Sequence, residues 1–332
     1  MKFETPRSVV KAHDLRQFQF RDTPFVKLMN RRIYNILLIA SRYDLFILED
    51  DGRVDEQIFN EYTSLSLRYP PRFTQVMNGE DAIKELNSNH YELIICMPNM
   101  DNNEIFELAK NIKDNYKHIP IVILTPFSKE VSKVLAKEDL GGIDYVFSWL
   151  GDSDLLLAII KLVEDKMNVE NDVKTVGVQT ILLVEDSVRF YSSALPQLYK
   201  FVLSESKEFS KEALNDHQRT LRMRGRPKIL LARNYEEAVD LYEKYGDNML
   251  GVLTDMSFNK NGVKDKLAGK KLGEWIRSQD KYIPIIYASS ETSNRQYAND
   301  AQSSFIDKNS KTFPQDLRKT VMENFGFGDF II

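Results

Sequence analysis

A series of short apolar segments, each followed by an amphipathic segment, occurs twice along this chain. The first series begins with Asn-Ile-Leu-Leu-Ile-Ala at 35–40, and the second with Ile-Leu-Leu-Val-Glu-Asp at 181–186. Continuous apolar runs of this length are typical of strands buried on both faces of a parallel sheet. Strands that alternate with helices in two successive series predict two doubly wound α/β domains in tandem.

The repeat divides the 332 residues into four parts. We expect an N-terminal extension with a short helix over 1–33, a first domain over 34–168, a connector over 169–179 and a second domain over 180–332. The second series is the longer one, and the polar stretch near 204–226 is expected to be a helical insertion in it.

Composition excludes several classes of function. Lysine and arginine number 45 against 49 acidic residues, and the net charge of −4 argues against nucleic-acid or membrane-surface binding. The one cysteine, Cys96, excludes a disulfide framework and a cysteine-based zinc site. No apolar run reaches the roughly 20 residues of a membrane span, and the N-terminus lacks the apolar core of a signal peptide. We therefore expect a cytoplasmic protein.

Polar residues end the strands of the second series. Glu185 and Asp186 end the first strand, Asp255 the third, Ser289 the fourth and Lys308 the fifth. Because the carboxyl ends of parallel strands meet at one edge of the sheet, these side chains are expected to converge. Three carboxylates suit Mg²⁺, and a hydroxyl with an ammonium suits the oxygens of a phosphoryl group. A carboxylate in such a site can also act as a nucleophile.

This constellation closely resembles the response-regulator receiver family over about 180–325. Leu182-Leu-Val-Glu-Asp-Ser187 is similar to the acidic-pair motif of the family, and Gly251-Val-Leu-Thr-Asp-Met-Ser257 to its phosphoacceptor segment. The resemblance implies flavodoxin-like (βα)5 receiver domains that accept a phosphoryl group with the help of Mg²⁺. It also implies the following roles: Asp255 as phosphoacceptor; Glu185, Asp186, Asp255 and the Ser257 backbone carbonyl as metal ligands; Lys308 and Ser289 as phosphoryl contacts; Ser289 and Phe305 as switch residues.

Two departures from the family pattern affect the loops around this site. Asn309 follows Lys308, where the family usually has proline. The loop after Asp255 is longer than usual and rich in lysine residues, among them Lys260 and Lys264. Both departures leave the chemical groups in place but alter the loops that would switch.

The first series has the same skeleton without these groups. When the two series are aligned on their apolar strands, Ala40 and Ser41 occupy the positions of the acidic pair. Met97 occupies the position of the phosphoacceptor, and Ser148 occupies the position of the lysine. Thr125 alone keeps the expected type of residue, a hydroxyl side chain. Without metal ligands, nucleophile and lysine, the same reaction is not possible there. We interpret the first domain as a pseudo-receiver.

Two other segments are weighed as interaction surfaces. The helix expected over Leu155–Met167 has two apolar stripes, so one face can cover its own sheet while the other meets a partner. We therefore expect the two domains to pack together or the protein to dimerise. The basic cluster formed by Arg219, Arg222, Arg224, Arg226 and Lys228 is interpreted as a solvated helix end.

The expected function is signal reception in a two-component phosphorelay. The phosphoryl group would come from a sensor histidine kinase or a phosphotransfer protein, and a downstream output domain or protein would respond. On this view the chain is not itself an enzyme. The alternative is an interaction or dimerisation scaffold that is never phosphorylated. A metal-dependent phosphatase would need a second acid two residues after a first-strand nucleophile, and 185–188 do not offer that spacing.

A further resemblance concerns the two ends of the repeat. The Phe147-Ser-Trp-Leu-Gly151 turn and the Phe325-Gly-Phe-Gly-Asp-Phe330 segment look similar to the N-terminal region of bacterial proteins in which two receivers precede a domain like phosphoenolpyruvate synthase or pyruvate phosphate dikinase. This implies that the chain is a fragment whose output is a fused phosphotransfer enzyme. The alternative is a stand-alone two-receiver adaptor.

Overall fold

The structure is a computed structural model that describes residues 23–49, 52–97, 104–126, 141–149, 151–210 and 222–325. The first half contains α1 (Thr23–Val26), β1 (Asn35–Ile39), α2 (Arg42–Leu48), α3 (Val54–Ser64), β2 (Arg72–Val76), α4 (Gly79–Ser88), β3 (Leu93–Cys96), α5 (Glu104–Asn115), β4 (Ile121–Pro126), β5 (Tyr145–Trp149) and α6 (Asp154–Val176). The second half contains β6 (Thr180–Val184), α7 (Val188–Ser210), β7 (Lys228–Ala232), α8 (Tyr235–Tyr245), β8 (Met249–Asp255), β9 (Phe258–Lys260), β10 (Val263–Asp265), α9 (Ala268–Gln279), β11 (Ile285–Ser289), α10 (Arg295–Asp300), β12 (Ser304–Asp307) and α11 (Phe313–Phe325).

Each half forms a five-stranded parallel sheet with the same strand order. The first sheet runs β2-β1-β3-β4-β5 and the second β7-β6-β8-β11-β12, which is the flavodoxin-like order in both cases. β3 of the first sheet and β6 of the second are buried along their whole length, as their apolar sequences predict. The predicted fold class, two flavodoxin-like (βα)5 doubly wound sheets in tandem, is confirmed.

The repeat extends to the way in which helices begin. Asn78 precedes α4 and its side chain accepts a hydrogen bond from the Asp81 N–H. Asn234 precedes α8 and accepts one from the Glu237 N–H in the same way. An asparagine in this position satisfies a backbone donor that the first helical turn leaves free, so the same cap starts the corresponding helix in each half.

The helix expected to end at Met167 is longer than predicted. α6 continues to Val176 and ends at Gly177, which has a φ of 69° and caps the helix in the left-handed conformation. The connector predicted over 169–179 is therefore helical for most of its length. The helix continues because polar residues in this stretch are buried against the segment before β1, where the Met29 N–H donates to Asp172 and the Asn168 amide bonds to the Arg31 backbone.

The two sheets share one hydrophobic core. α6 and α7 lie between the sheets, and the apolar side chains of both helices belong to the same buried cluster as β5 and β7. α6 follows the first sheet but packs on β7 of the second, and α7 packs on β5 of the first. The wide apolar face predicted for α6 therefore meets the other domain, and the prediction that the two domains pack together is confirmed.

Each of these two edge strands bonds to a helix of the opposite half. On β5, the Ser148 N–H donates to the Ser192 hydroxyl at 2.9 Å, and the Tyr191 hydroxyl donates to the Val146 carbonyl. On β7, the Ile229 N–H donates to Asp165 at 3.0 Å. An open sheet edge presents unpaired backbone groups, and here side chains from α6 and α7 satisfy some of them.

The interpretation of the basic cluster as a solvated helix end is wrong for its last two members. Arg226 is buried and forms a two-point ion pair with Asp165, at 2.7 and 3.0 Å. Lys228 is fully buried, with its Nζ 3.0 Å from an Asp172 oxygen. Both acids lie on α6, so these pairs join the two halves. Neutralisation by a partner is what allows such groups to be buried.

Several other predictions concern the ends and the insertion. α7 enters the predicted insertion near 204–226 as an uninterrupted helix to Ser210, and 211–221 lie outside the described residues. The same holds for 1–22 and 326–332. None of the helices that the structure describes combines the length and the apolar character needed to cross a membrane.

Candidate functional site

Four of the predicted site residues meet at the carboxyl edge of the second sheet. Glu185 and Asp186 follow β6, Asp255 ends β8 and Lys308 follows β12. The Lys308 Nζ contacts a Glu185 oxygen and lies 2.8 Å from the Asp255 Oδ1. One carboxylate oxygen from each of the three acids, Glu185, Asp186 and Asp255, lies within 4.8 Å of the corresponding oxygens of the other two. The predicted convergence of these groups is therefore present.

Glu185 lies deepest in the site. Its side chain is 4% exposed, and its Oε1 accepts a hydrogen bond from the Ser187 N–H at 3.0 Å. Burial, with the Asp255 carboxylate beside it, raises the pKa of Glu185 to about 7 although the Lys308 ammonium opposes the shift. A carboxylate held in these surroundings is stabilised by any further positive charge that enters the site.

The Asp255 carboxylate is held by neighbouring groups through one oxygen and remains partly exposed. Its Oδ1 accepts a hydrogen bond from the Met256 N–H at 2.8 Å and contacts Lys308, whereas Oδ2 has no hydrogen bond or ion pair among the described residues. The side chain is 13% exposed. One oxygen therefore holds the carboxylate in position while the other is left without a hydrogen bond or ion pair, which is the arrangement that an attacking carboxylate needs.

The backbone beside Asp255 is approached closely by α9. A Cβ on Gly269 would lie 2.0 Å from the Asp255 carbonyl oxygen, and the Gly269 N–H donates to the Met256 carbonyl at 3.1 Å. No residue with a side chain fits at this position without moving the helix. Glycine thus allows α9 to pack directly on the strand end that carries Asp255.

Asp186 is paired with a lysine that the sequence analysis did not assign to the site. The Lys264 Nζ lies 2.9 and 2.6 Å from the two Asp186 oxygens. Lys264 belongs to β10, which pairs antiparallel with β9 in a hairpin. Its turn is Asn261-Gly262, with φ values of 51° and 74°. Asn-Gly is a strong hairpin signal, so this element of the lysine-rich loop was open to prediction.

The predicted switch residues lie near the site but face other partners. The Ser289 hydroxyl accepts hydrogen bonds from the Glu291 N–H at 3.1 Å and the Asn294 amide at 2.9 Å, in its own following loop. Phe305 on β12 is partly buried, with the Arg295 guanidinium 4.7 Å from its ring centroid. In the described contacts neither side chain touches the carboxylates.

Three further residues complete the description of this edge. The Lys308 ammonium lies 4.4 Å from the ring centroid of Phe190, an aromatic contact that sequence reasoning missed. The Asn309 amide donates to the Ser290 carbonyl at 2.9 Å and so ties together the loops after β11 and β12. Ser257 follows β8 in the chain, and its carbonyl as a metal ligand stays a prediction.

Strand register shows which residues of the first sheet correspond to this site. Ile39 pairs with Cys96 as Val184 pairs with Thr254, so Met97 takes the position of Asp255, as predicted. Ala40 and Ser41 likewise follow β1 as Glu185 and Asp186 follow β6. Ser41 instead caps α2, where it exchanges hydrogen bonds with Asp44.

One assignment in the first sheet is wrong by one residue. Thr125 pairs with Ser148 as Ser289 pairs with Asp307, so the residue that corresponds to Lys308 is Trp149 and not Ser148. Trp149 is buried. Among the described residues, the one group of three acids, histidines or cysteines close enough to hold a metal is in the second sheet.

Comparisons with known proteins give only distant matches. No family model matches the chain, and no curated protein matches it. Among solved structures, a probable two-component system response regulator/GGDEF domain protein is 15% identical with a TM-score of 0.31, over 88% of this chain and 98% of that chain. The C-terminus of RcsC from E. coli, which contains a linker region and a phosphoreceiver domain, is 14% identical with a TM-score of 0.32, over 88% and 92%. The functional assignment therefore depends on the residues of the site itself.

Proposed function

We propose that the second domain is a response-regulator receiver that accepts a phosphoryl group on Asp255. The observation that carries the proposal is one partly exposed carboxylate with an oxygen free of hydrogen bonds and ion pairs among the described residues, set beside two further acids and a buried lysine. A nucleophile, groups for a cation and a charge for the phosphoryl oxygens are the parts that phosphoryl transfer requires.

The acids of the site fit Mg²⁺. Glu185, Asp186 and Asp255 supply hard oxygen ligands within reach of one ion, and Mg²⁺ is held by one or two carboxylates with waters. The Lys264 and Lys308 ammonium groups pair with these acids and offset part of their charge, which supports binding of a cation at this edge. Mg²⁺ bound there would neutralise charge on the phosphoryl oxygens, and the Ser257 carbonyl is the fourth proposed ligand.

The reaction uses the open oxygen of Asp255. As this oxygen attacks the phosphorus of a phosphohistidine, the new O–P bond forms while the N–P bond breaks, and the imidazole leaves with the electron pair and takes up a proton. The Lys308 ammonium already lies at the carboxylate and stabilises the negative charge of the phosphoryl oxygens. The Ser289 hydroxyl reaches them once it leaves the Glu291 and Asn294 partners.

The output follows from that movement. When Ser289 turns toward the phosphoryl group, the loop after β11 is released and Phe305 moves inward, which reshapes the surface formed by β11, β12 and their helices. A sensor histidine kinase or phosphotransfer protein in the cytoplasm supplies the phosphoryl group, and a downstream module, such as a fused phosphotransfer enzyme, responds to this surface. The first domain, a pseudo-receiver by its residues, serves as a scaffold for it.

Chemical phosphorylation tests the proposal. We expect acetyl phosphate with Mg²⁺ to add one phosphoryl group to the chain, seen by intact mass, and chelation of the metal to prevent it. Asp255→Asn removes the nucleophile and abolishes the label, whereas Asp240→Asn, an exposed acid paired with Lys244, keeps it. A label that persists in Asp255→Asn contradicts the proposal. If the folded protein neither takes the label nor binds beryllofluoride with Mg²⁺, the scaffold function replaces it.

A further inference from the structure

A second polar site lies at the junction of the two halves, away from Asp255. It is a cavity of about 50 Å³. A water molecule needs roughly 10–15 Å³ measured in this way, so the cavity holds on the order of four heavy atoms. Its lining comes from the segment before β1, the end of α3 and the turn after it, α6, and the residues that lead into β7.

The lining is strongly cationic. Five of its residues carry a positive charge, and Glu164 is the acid among them: Arg32, Arg68, Lys161, Arg224 and Arg226. Glu164 pairs with Lys161 at 2.7 Å, and Asp165 pairs with Arg226. The guanidinium groups of Arg32, Arg68 and Arg224 are left without an acidic partner in the described part of the chain.

Two of these guanidinium groups oppose each other. Burial, followed by the charge of Arg32, lowers the pKa of Arg224. The Arg224 Nε is buried and has no hydrogen-bond partner among the described residues, although its NH1 group donates to the Val26 carbonyl at 3.0 Å. Like charges held together beside an unsatisfied buried donor cost free energy unless an anion lies between them.

The backbone around the cavity is also unusual. Five described residues other than glycine have positive φ, and three of them line this cavity: Met29 at 51°, Ser66 at 55° and Tyr69 at 61°. Such conformations are sparsely populated for residues with a Cβ and concentrate at ligand sites. Ser66 adds a hydroxyl to the lining.

We infer that this cavity binds the phosphate group of a small molecule, either free phosphate or a phosphate monoester. Three unpaired guanidinium groups match a dianion, because arginine offers planar pairs of donors to phosphate oxygens. An ester also has room for its organic part, since Tyr69 borders an open groove lined by Tyr34, Phe59, Pro70 and Pro71. Arg224 comes from one half and Arg32 from the other, so the bound anion joins the two halves.

Isothermal titration calorimetry of the full chain with inorganic phosphate and with phenyl phosphate tests this site. All titrations use protein that carries Asp255→Asn, in a buffer without Mg²⁺, so that phosphate does not bind at the phosphoacceptor site. We expect a single site whose affinity falls about tenfold or more in Arg224→Gln and in Arg32→Gln, since each removes a charge-assisted hydrogen bond. Equal affinities identify free phosphate as the ligand, and tighter binding of phenyl phosphate identifies an ester.

Arg53→Gln is the matched control, because Arg53 is exposed, pairs with Asp55 and lies outside the cavity. It should bind as the parent does. The exposed Arg68, changed to Gln, provides a third test if substitution of the partly buried Arg224 or Arg32 prevents folding, which circular dichroism would reveal. Absence of binding by both probes, or unchanged affinity in the folded arginine variants, overturns the inference.

Discussion

A comparison of Asp165 with Asp255 shows that the hydrogen-bond partners of a carboxylate determine its role. Asp165 is fully buried and accepts four hydrogen bonds, two of them from Arg226. Asp255 is slightly exposed, and its described contacts all involve one oxygen. A carboxylate whose oxygens are saturated serves to hold structure, whereas one with an open oxygen at a sheet edge can react.

Only one of these two aspartates was predictable from sequence. Asp255 follows an apolar strand, and strand ends in a parallel sheet converge on one edge, so its neighbours follow from the chain order. Asp165 follows Glu164 in the middle of a helix, where acidic residues are typical of a solvated face. Its partner Arg226 lies in a basic cluster distant in sequence, and nothing local indicates that the two meet.

Asp165→Asn tests the structural role of the buried pair. The substitution leaves the Arg226 guanidinium buried without a counter-charge, so we expect the free energy of unfolding to fall by about 3–5 kcal/mol. Urea unfolding followed by circular dichroism measures it. Asp240→Asn breaks an exposed pair with Lys244 and should change stability by less than about 0.5 kcal/mol. A loss at Asp165 no greater than at Asp240 would contradict the role.

At the scale of elements, the strands were predictable and the length of α6 was not. Most strands of the two sheets are short apolar runs between polar turns, which is the simplest pattern to interpret, whereas the edge strand β2 (Arg72–Val76) is largely polar. α6 instead carries a polar face that is buried and paired: Lys161, Glu164, Asp165, Asn168 and Asp172. A polar face at helical spacing usually indicates exposure to solvent. Tertiary contacts with the segment before β1 and with the start of β7 reverse that expectation.

The β9–β10 hairpin is the element that distinguishes the site from a bare strand edge. It places Lys264 on Asp186, while Lys260 lies over the Tyr235 ring, 3.9 Å from its centroid. The Asn261 N–H donates to Glu236 at 2.9 Å, which fixes the hairpin to the start of α8. A cation that binds Asp186 therefore competes with a lysine held in place by a folded element.

Removal of that lysine should strengthen Mg²⁺ binding. Lys264→Ala frees Asp186 and adds to the negative charge at the site, so we expect the Kd for Mg²⁺ to fall about three- to fivefold, the range of an exposed ion pair. Isothermal titration calorimetry measures it. Lys260→Ala removes the same charge from the same hairpin without touching Asp186 and is the control. Unchanged or weaker binding in Lys264→Ala would show that the lysine does not compete.

At the scale of the whole molecule, each half contributes a helix that packs on the edge strand of the other half's sheet. The edge strand β5 of the first sheet is covered by α7, and the edge strand β7 of the second is covered by α6. Separation of the halves would expose both strand edges, the apolar faces of two long helices and two buried ion pairs. The cost of that exposure makes independent movement of the halves unfavourable.

This shared core predicts that the two halves unfold together. The chain has two tryptophans, Trp149 in the first sheet and Trp275 in α9 of the second half. Trp275→Phe leaves a fluorescent reporter for the first half, and Trp149→Phe leaves one for the second. Two-state unfolding of one cooperative unit gives the same transition by every probe. Within each variant, we therefore expect the urea transition seen by tryptophan fluorescence to coincide with that seen by circular dichroism. A fluorescence midpoint clearly below the circular dichroism midpoint in one variant, together with a fluorescence midpoint above it in the other variant, would contradict this prediction. The two halves would then unfold separately, and the shared core would not couple them.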